Sequence, residues 1–313
     1  AFVAYTKRAM EIDQDQAVMV SADKVVVSDF MGNIVEHPKT YTVDWDASAA
    51  EKGGWDSFMD KEIHEDPAAV QRTLLGRLDK DGNIILDEIR IDEHEVKAID
   101  KIIVIACGTA AYAGMVAKYA IEHWVRIPVE VELAHEFRYR DPILTPRTLV
   151  VAISQSGETM DTLMALRHAR EQGSKVLAIC NTQGASIPRE SDAVLYTHAG
   201  PEVAVASTKA FVAQITAAYV LGLYLAQVKG AMYRDEIAQT LDSLKDMPRK
   251  IQWVLDTQTK TVQEAAKQMV DAKSFLFLGR HVGYPVAMEG ALKLKEIAYT
   301  FTEGFAAGEL KHG

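Results

Sequence analysis

Apolar runs alternate with stretches of helical spacing through the middle of the chain, beginning near residue 101. The runs are short and apolar throughout, and they cover residues 102–107, 128–133, 148–153, 175–180 and 193–196. The helical stretches between them cover residues 110–124, 158–172 and 186–191. Continuous apolar runs joined by helices are typical of parallel strands that are buried on both faces. The pattern therefore predicts an α/β domain with a doubly wound parallel sheet, whose ligands bind at the carboxyl ends of the strands.

The residues before this domain show a different pattern. Short β-branched runs separated by turn residues predict a small antiparallel β segment. These runs cover residues 17–20, 24–28 and 40–43. Residues 44–54 end in two glycines and are typical of a linker between domains. A helical stretch at residues 55–78 follows, with a break or restart expected at Pro67.

Long helical stretches follow the α/β domain, and then a strand–turn–helix pattern begins again. The helical stretches cover residues 207–228, 235–244 and 249–272, and the renewed pattern covers residues 274–278 and 284–299. Residues 103–108 and 275–280 are alike, because each is an apolar strand that ends near glycine and opens into a helix. We interpret this likeness as a weak internal repeat: one complete α/β domain and the beginning of a second.

The predicted organisation therefore has several parts along the chain. A β remnant covers residues 1–45, a linker and helical segment 46–90, the first α/β domain 91–230, a helical connection 231–272 and the truncated second domain 273–313. The first residue is Ala1, and the chain stops at Gly313 without a terminal element. We therefore expect the chain to be a piece of a longer protein.

Composition and charge narrow the functional classes. With 48% hydrophobic residues the chain can bury a core, and its formal net charge of −10 argues against a nucleic-acid or membrane surface. An anionic ligand would need a local site, such as the amides and hydroxyls at the start of a helix. The chain has two cysteines and no signal peptide, and its longest apolar segment, at 210–228, is interrupted by polar residues. We therefore predict a reduced, cytoplasmic setting.

The strongest chemical signal is the run Ser-Gln-Ser-Gly-Glu-Thr at residues 154–159. An apolar strand ends there, a glycine permits a tight turn and a helix begins. Backbone amides and the hydroxyls of Ser154, Ser156 and Thr159 would converge on one point, as a phosphate requires. The alternative is an ordinary N-cap, in which Ser and Thr only satisfy the first amides of the helix.

Two further loops open into helices and could line the same crevice. Cys107-Gly108-Thr109 stands at the equivalent strand end. A nucleophilic role for Cys107 is disfavoured, because no His or Asn partner is evident. We favour contacts of the backbone and of Thr109 with a sugar. Residues 205–209 either cap a helix through Ser207 or Thr208, or supply a third wall of the crevice.

Charged residues near the end of the chain give the last signal. Lys293 and Glu296 are three positions apart and share one helical face, which usually means a surface ion pair. The nine histidines show no metal-ligand spacing such as His-x-x-x-His, so the sequence predicts neither a metal nor another cofactor.

Together these motifs resemble the family of isomerising glutamine:fructose-6-phosphate amidotransferases. The matching stretches include residues 61–77, 106–109, 136–140, 154–159, 205–209, 277–280, 289–296 and 306–313, in family order across nearly the whole chain. The run 154–159 alone indicates only a sugar-isomerase (SIS) domain, whereas 289–296 joined to 307–313 is specific to this family. The β segment before the linker resembles the end of its glutaminase domain.

The resemblance implies a function and roles for individual residues. Glutamine is hydrolysed in an N-terminal domain, ammonia passes through a channel, and fructose 6-phosphate becomes glucosamine 6-phosphate. The implied phosphate contacts are Ser154, Gln155, Ser156 and Thr159, and the implied sugar contacts are Thr109, Val205 and Ser207. Glu296 would move a proton between C1 and C2, Lys293 would assist at the sugar oxygens, and His312 would open the sugar ring from a neighbouring subunit, which implies at least a homodimer.

Departures from the family pattern limit this expectation. Ala110 stands where many members have a hydroxyl, and the family's catalytic N-terminal cysteine and C-terminal Schiff-base lysine have no counterpart. We therefore expect this chain alone to bind phosphosugar at most. Two rivals remain: an aldose–ketose phosphate isomerase or sugar-amine deglycase, and a phosphosugar-sensing regulator, which would have no use for Lys293, Glu296 and His312.

Overall fold

The computed structural model describes residues 3, 5–43 and 51–312 and divides the chain into two compact units, Ala1–Glu51 and Lys52–Gly313. Most of the predicted linker, residues 44–50, lies outside the described residues, as does Gly313.

The described residues of the first unit contain four short strands in two antiparallel pairs. The strands are β1 (Arg8–Met10), β2 (Gln16–Val20), β3 (Val25–Asp29) and β4 (Thr40–Thr42). β1 pairs with β4 and β2 pairs with β3. The predicted runs are therefore confirmed as strands, while β1 was not predicted because three residues with an arginine carry no strand pattern.

The second unit is built on a sheet of six strands. In chain order they are β5 (Glu88–Ile89), β6 (Lys101–Ala106), β7 (Val129–Leu133), β8 (Thr148–Ser154), β9 (Lys175–Cys180) and β10 (Ala193–Tyr196). The spatial order is β5-β10-β9-β8-β6-β7, and all neighbours are parallel except β5, which is antiparallel to β10. The predicted parallel sheet is confirmed, and only the two-residue edge strand β5 was missed.

Both faces of this sheet are covered by helices drawn from the ten that precede the last segment of the unit. In chain order they are α1 (Phe58–His64), α2 (Asp66–Leu74), α3 (Glu93–Ala98), α4 (Thr109–Val125), α5 (Ala134–Tyr139), α6 (Met160–Glu171), α7 (Ser186–Arg189), α8 (Lys209–Lys229), α9 (Arg234–Lys245) and α10 (Met247–Gln268). The stretch predicted as one helix divides into α1 and α2, and Pro67 lies in the first turn of α2, where its missing N–H costs no hydrogen bond.

The two faces of the sheet have separate cores. Alternate residues of β6, such as Ile102 and Val104, pack with α4 and α8, whereas Ile103 and Ile105 pack with α5 and α6. The chain therefore leaves β6 toward one face and β8 toward the other, although these strands are neighbours. Such a reversal opens a crevice beyond the carboxyl ends of the two strands.

Helix α8 is the central helix of one layer. It is the single helix among the described residues that could cross a membrane by length and composition. However, 61% of its most apolar window is buried inside the protein, where Ala217 and Leu221 join the core beside the sheet. That burial is the environment of a core helix.

A separate strand–helix–strand segment ends the second unit. It consists of β11 (Ser274–Gly279), α11 (Gly283–Ala298) and β12 (Phe301–Ala306), with β11 and β12 parallel, followed by a 3-10 turn at Ala307–His312. A Cβ at Gly290 would lie 2.9 Å from the ring of Phe277, so glycine permits the close approach of α11 to β11. The renewed pattern is confirmed and extends one strand further than predicted.

Candidate functional site

A cavity of about 210 Å³ lies at the crevice between β6 and β8. All the residues that the sequence assigned to substrate binding line it, namely Thr109, Ser154, Gln155, Ser156, Thr159, Val205 and Ser207. Cys107, Ala110, Ile153, Glu202 and Gln214 complete the lining. Three loops that are distant in sequence therefore meet where the topology opens the sheet.

The first wall is the loop between β8 and α6. Ser154 Oγ accepts the amide of Gly157 at 3.0 Å and lies 2.9 Å from Thr159 Oγ1, while Ser156 Oγ accepts the amide of Glu158 at 3.2 Å. The N-cap residue of α6 is Thr159, and its side chain makes no capping hydrogen bond. The hydroxyls thus shape the loop rather than cap the helix, and the first amides of α6 have no side-chain acceptor from the N-cap.

Gly157 occupies a position in this loop that other residues cannot fill without strain. Its φ is +70°, a conformation that costs little only for glycine. A Cβ at this position would also lie 2.6 Å from Ala185 Cβ and 2.7 Å from Cys180 Sγ. Backbone conformation and lack of space therefore both require glycine at the turn.

The second wall is the loop before α8. Hydrogen bonds to the carboxylate of Glu202, a residue of the same loop, fix its conformation. Glu202 Oε1 accepts the amides of Thr208 at 2.8 Å and Ala210 at 3.1 Å, and its Oε2 accepts the hydroxyl of Ser207 at 3.0 Å. Thr208 occupies the N-cap position without a side-chain capping bond. The cap predicted for Ser207 or Thr208 is therefore supplied by Glu202, six residues before Thr208.

Val205 projects from this loop in a strained conformation. Its φ is +68°, which is costly for a β-branched residue, and it is 98% exposed. The amide of Ala206 donates to Ala204 O at 2.8 Å, closing a three-residue turn around Val205. Behind the turn, the buried carboxylate of Glu62 accepts the amide of Val203 at 2.6 Å. The hydrogen bond across the turn and the hydrogen bond from Val203 to Glu62 thus stabilise a backbone conformation that valine alone would not favour.

The loop is also supported by a cluster of charges beneath it. Lys209 is buried and forms an ion pair with Glu65. Burial, together with the nearby carboxylate of Glu202, raises the pKa of Asp66 to about 7, and Asp66 Oδ1 has no hydrogen-bond partner within the described residues. Burial likewise raises the pKa of Glu62. Lys61 also pairs with Glu65, at 3.6 Å, so two lysines face the carboxylates of Glu62, Glu65, Asp66 and Glu202, and this excess of carboxylates disfavours full ionisation of the cluster.

The third wall joins the crevice to α11. Thr109, the first residue of α4, donates its hydroxyl to Glu289 Oε1 at 2.9 Å and accepts Lys293 Nζ at 3.1 Å. Lys293 Nζ also lies 2.6 Å from Glu296 Oε2 and 3.4 Å from Glu289 Oε1. The ion pair predicted from the spacing of Lys293 and Glu296 is present, and it belongs to a network that reaches the cavity wall.

Glu289 is a site residue that the sequence reasoning did not single out. Burial raises the pKa of its carboxyl, and Oε2 is buried without a hydrogen-bond partner within residues 51–312. Only its position one turn before Lys293 could have indicated it, and that spacing is common in helices.

The structure does not place all predicted catalytic residues in the cavity wall. Lys293 and Glu296 are linked to the cavity through Thr109, and the side chain of Glu296 is 40% exposed. His312 is exposed on the 3-10 turn and is not among the lining residues. Ala110 does line the cavity, so the hydroxyl that it lacks would have faced the site.

The two cysteines have different environments. Cys180 is buried, and burial raises the pKa of its thiol to about 12. Cys107 is partly exposed and lines the cavity. Both are free thiols.

Comparison with known proteins gives a consistent result. The SIS domain family matches residues 96–224. A glutamine–fructose-6-phosphate aminotransferase (isomerizing) of Corynebacterium efficiens is 67% identical over 312 residues, covering 100% of this chain and 50% of the relative. The protein of the same name in Streptomyces coelicolor is 62% identical over 313 residues, covering 100% of the chain and 51% of the relative.

A solved structure extends the comparison to the fold. The C-terminal domain of glucosamine-fructose-6-phosphate aminotransferase from Francisella tularensis superposes with a TM-score of 0.80 at 42% identity, covering 84% of this chain and 73% of that domain. The chain spans about half the length of the curated relatives it matches. On both sequence and fold, the chain belongs to the family of isomerizing glutamine–fructose-6-phosphate aminotransferases.

Proposed function

We propose that this chain is the phosphosugar-binding, isomerising part of an enzyme that converts fructose 6-phosphate and glutamine-derived ammonia to glucosamine 6-phosphate. One observation carries the proposal: the predicted phosphate and sugar residues line a single cavity whose wall residue Thr109 bonds to the Glu289–Lys293 pair of α11. The names of the close relatives support the same reaction.

The phosphate would be held by the loop between β8 and α6. Ser154, Gln155, Ser156 and Thr159 line the cavity beside the first turn of α6. Hydroxyl and amide donors at a helix N-terminus stabilise a dianion through hydrogen bonds and the helix dipole. The sugar would then extend toward Thr109, Val205 and Ser207 on the other walls.

The proton transfer would be the task of Glu296 and Lys293. After an imine has formed at C2 of the open-chain sugar, Glu296 takes a proton from C1 and returns it to C2. The C1 hydroxyl loses a proton and the imine nitrogen gains one, which leaves an aldehyde at C1 and an amine at C2. Lys293, 2.6 Å from Glu296 Oε2, assists the accompanying proton movement at the C1 oxygen. A single carboxylate suits this shuttle because it acts as base and then as acid within one bound intermediate.

Steps outside these residues complete the proposal. His312 would open the sugar ring in the site of a neighbouring subunit, which fits its exposure on the 3-10 turn and makes the active form at least a homodimer. Glutamine would be hydrolysed in a preceding domain of a cytoplasmic enzyme. The chain alone would bind phosphosugar without synthesising the amino sugar.

Substitution of Glu296 by Gln tests the catalytic part. The chain would be expressed with the flanking segments that make up the other half of the relatives' length. We expect at least about a 100-fold loss of turnover, as for removal of a general base, with glucosamine 6-phosphate still bound. Glu303→Gln, at an exposed position of β12, is the matched control. Unchanged turnover in Glu296→Gln would remove this residue from the mechanism and would favour a binding-only regulator.

A further inference from the structure

We propose that Cys107, His135 and Asp161 form a binding site for a zinc-class divalent cation, and that the bound cation tightens phosphosugar binding in the adjacent crevice. The second half of the proposal rests on the proposed function, whereas the first half does not. The thiol, imidazole and carboxylate ligand atoms of the three residues all lie within 4.8 Å of one another.

Topology brings the three ligands together. Cys107 follows β6, His135 is in the first turn of α5 after β7, and Asp161 is in the first turn of α6 after β8. These strands are neighbours in the order β8-β6-β7, so their carboxyl ends meet at one edge of the sheet. No short-range spacing relates positions 107, 135 and 161, so a local motif such as His-x-x-x-His does not reveal these ligands.

The ligand types determine the class of cation. Zn²⁺ binds thiolate, imidazole and carboxylate at about 2.0–2.3 Å, which places neighbouring ligand atoms about 3–4 Å apart in a tetrahedron. The separations of up to 4.8 Å exceed this spacing by about 1 Å, so binding of the cation would draw the three side chains together. A cysteine and a histidine disfavour Mg²⁺ and Ca²⁺, which prefer oxygen ligands. Three protein ligands leave the fourth position open for water.

The surroundings are compatible with an accessible site. Cys107 and His135 are partly buried, and Asp161 is exposed, so a cation can enter from solvent. His135 Nε2 lies 3.7 Å from Glu136 Oε1, which is beyond hydrogen-bond distance but adds negative potential that favours a cation near the imidazole. Cys107 Sγ lies 3.8 Å from Thr162 Oγ1, which is a further polar neighbour of the thiol.

Two of the ligands adjoin residues of the crevice. Cys107 itself lines the cavity and stands two positions before Thr109, while Asp161 stands two positions after Thr159. A cation held by Cys107 and Asp161 would therefore join the first and third walls of the cavity. The two binding events are thermodynamically coupled, and the coupling is reciprocal.

The sign of the coupling follows from charge. Without a cation, the Asp161 carboxylate carries one negative charge in the first turn of α6, where it repels the phosphate of the ligand. Binding of Zn²⁺ displaces the thiol proton of Cys107, so that one dication and two anionic ligands sum to zero. Removing one negative charge beside the phosphate favours phosphosugar binding.

The site is tested by titration of the chain with Zn²⁺ by calorimetry, and with Co²⁺ followed by its thiolate charge-transfer absorption. We expect one tight site, with affinity lowered by about tenfold or more in each of Cys107→Ser, His135→Gln and Asp161→Asn, since even outer-shell partners change metal affinity by about 10- to 100-fold. Asp235→Asn, an exposed aspartate in the first turn of α9, is the matched control and should bind Zn²⁺ like the unsubstituted chain.

Some outcomes would overturn the proposal. No saturable binding, or affinity that falls only in Cys107→Ser, would mean that no three-ligand site exists. Glucosamine 6-phosphate titrated with and without Zn²⁺ tests the coupling, for which we expect affinity to rise by several-fold with the cation and not to rise in Asp161→Asn. An equal or lower affinity with Zn²⁺ would refute the coupling, and absence of sugar-phosphate binding under both conditions would instead refute the proposed function.

Discussion

Thr109 and Glu289 form a 2.9 Å hydrogen bond between the first residue of α4 and the middle of α11, which joins the cavity between β6 and β8 to the segment that carries Lys293 and Glu296. The same hydroxyl accepts Lys293 Nζ at 3.1 Å. Thr109 therefore contributes to the cavity wall and also holds the proposed catalytic side chains against it.

Thr109→Val tests this junction. Valine keeps the shape of threonine but leaves the buried Glu289 and the partly buried Lys293 without the hydroxyl, so we expect a loss of about 1–3 kcal/mol in the free energy of unfolding. Affinity for glucosamine 6-phosphate should also fall. Thr240→Val, whose hydroxyl bonds only within the solvent-facing side of α9, is the control for both measurements. An unfolding free energy and a Kd like those of the control would show that the junction is unimportant.

Asp66 predicts a defined pH dependence of stability. Its pKa rises from 3.8 to about 7 on folding, so between these values the unfolded chain loses a proton that the folded chain retains. Stability must therefore fall as pH rises through this window, and the penalty is complete above pH 7. Asp66→Asn removes the titrating group, so its stability relative to the unsubstituted chain should rise from pH 4 to 7 and then level off.

Chemical denaturation across this pH range measures the effect. At about 1.36 kcal/mol per pH unit, the relative gain of Asp66→Asn is at most about 4 kcal/mol, and partial solvation reduces it. Asp235→Asn, at an exposed position, is the matched control. A difference between Asp66→Asn and the unsubstituted chain that stays constant with pH would contradict the assigned protonation of Asp66.

Glu202 should control sugar binding through the loop that it holds. Glu202→Ala releases the amides of Thr208 and Ala210 and the hydroxyl of Ser207, so this wall loses its fixed conformation. We expect the Kd for glucosamine 6-phosphate to rise by about tenfold, the equivalent of 1.4 kcal/mol. Glutamine at position 202 retains one acceptor and should have a smaller effect.

Glu236→Ala provides the comparison for this loop. Glu236 Oε2 accepts the amide of Tyr233, the N-cap residue of α9, at 2.8 Å, so its removal also leaves an amide at the helix end without its acceptor, at a cost of about 1 kcal/mol of stability. It does not line the cavity, and the Kd should stay unchanged. Equal effects of the two substitutions on the Kd would mean that Glu202 acts only through general stability.

The sequence predicted the features that depend on local patterns. Continuous apolar runs such as that of β8 predicted buried parallel strands, and the glycine-containing run after it predicted a loop at the carboxyl edge. The sequence did not predict contacts between residues that are far apart along the chain. The carboxylate of Glu62 holds the amide of Val203 across 141 positions, and Thr109 reaches Glu289 across 180. No spacing rule relates such pairs.

Short elements were missed for a different reason. β5 has two residues, and α5 has six that combine a histidine, a glutamate and an arginine with two aromatic rings. Segments of this length do not complete a hydrophobic period, so their conformation is set by packing against the rest of the fold. His135, the proposed cation ligand on α5, was not predicted as a ligand because its helix was not predicted.

The central claim is that the loop between β8 and α6 binds the phosphate of a sugar phosphate. The most direct measurement is thermal unfolding of this chain with glucosamine 6-phosphate, glucosamine or inorganic phosphate. It compares the unsubstituted chain with Ser156→Ala and Thr159→Val, and Ser243→Ala, at an exposed position of α9, is the control. We predict a rise in Tm that is largest with glucosamine 6-phosphate, that is reduced in Ser156→Ala and Thr159→Val, and that is unchanged in the control. No rise with the sugar phosphate, or a rise that survives both loop substitutions, would contradict the claim.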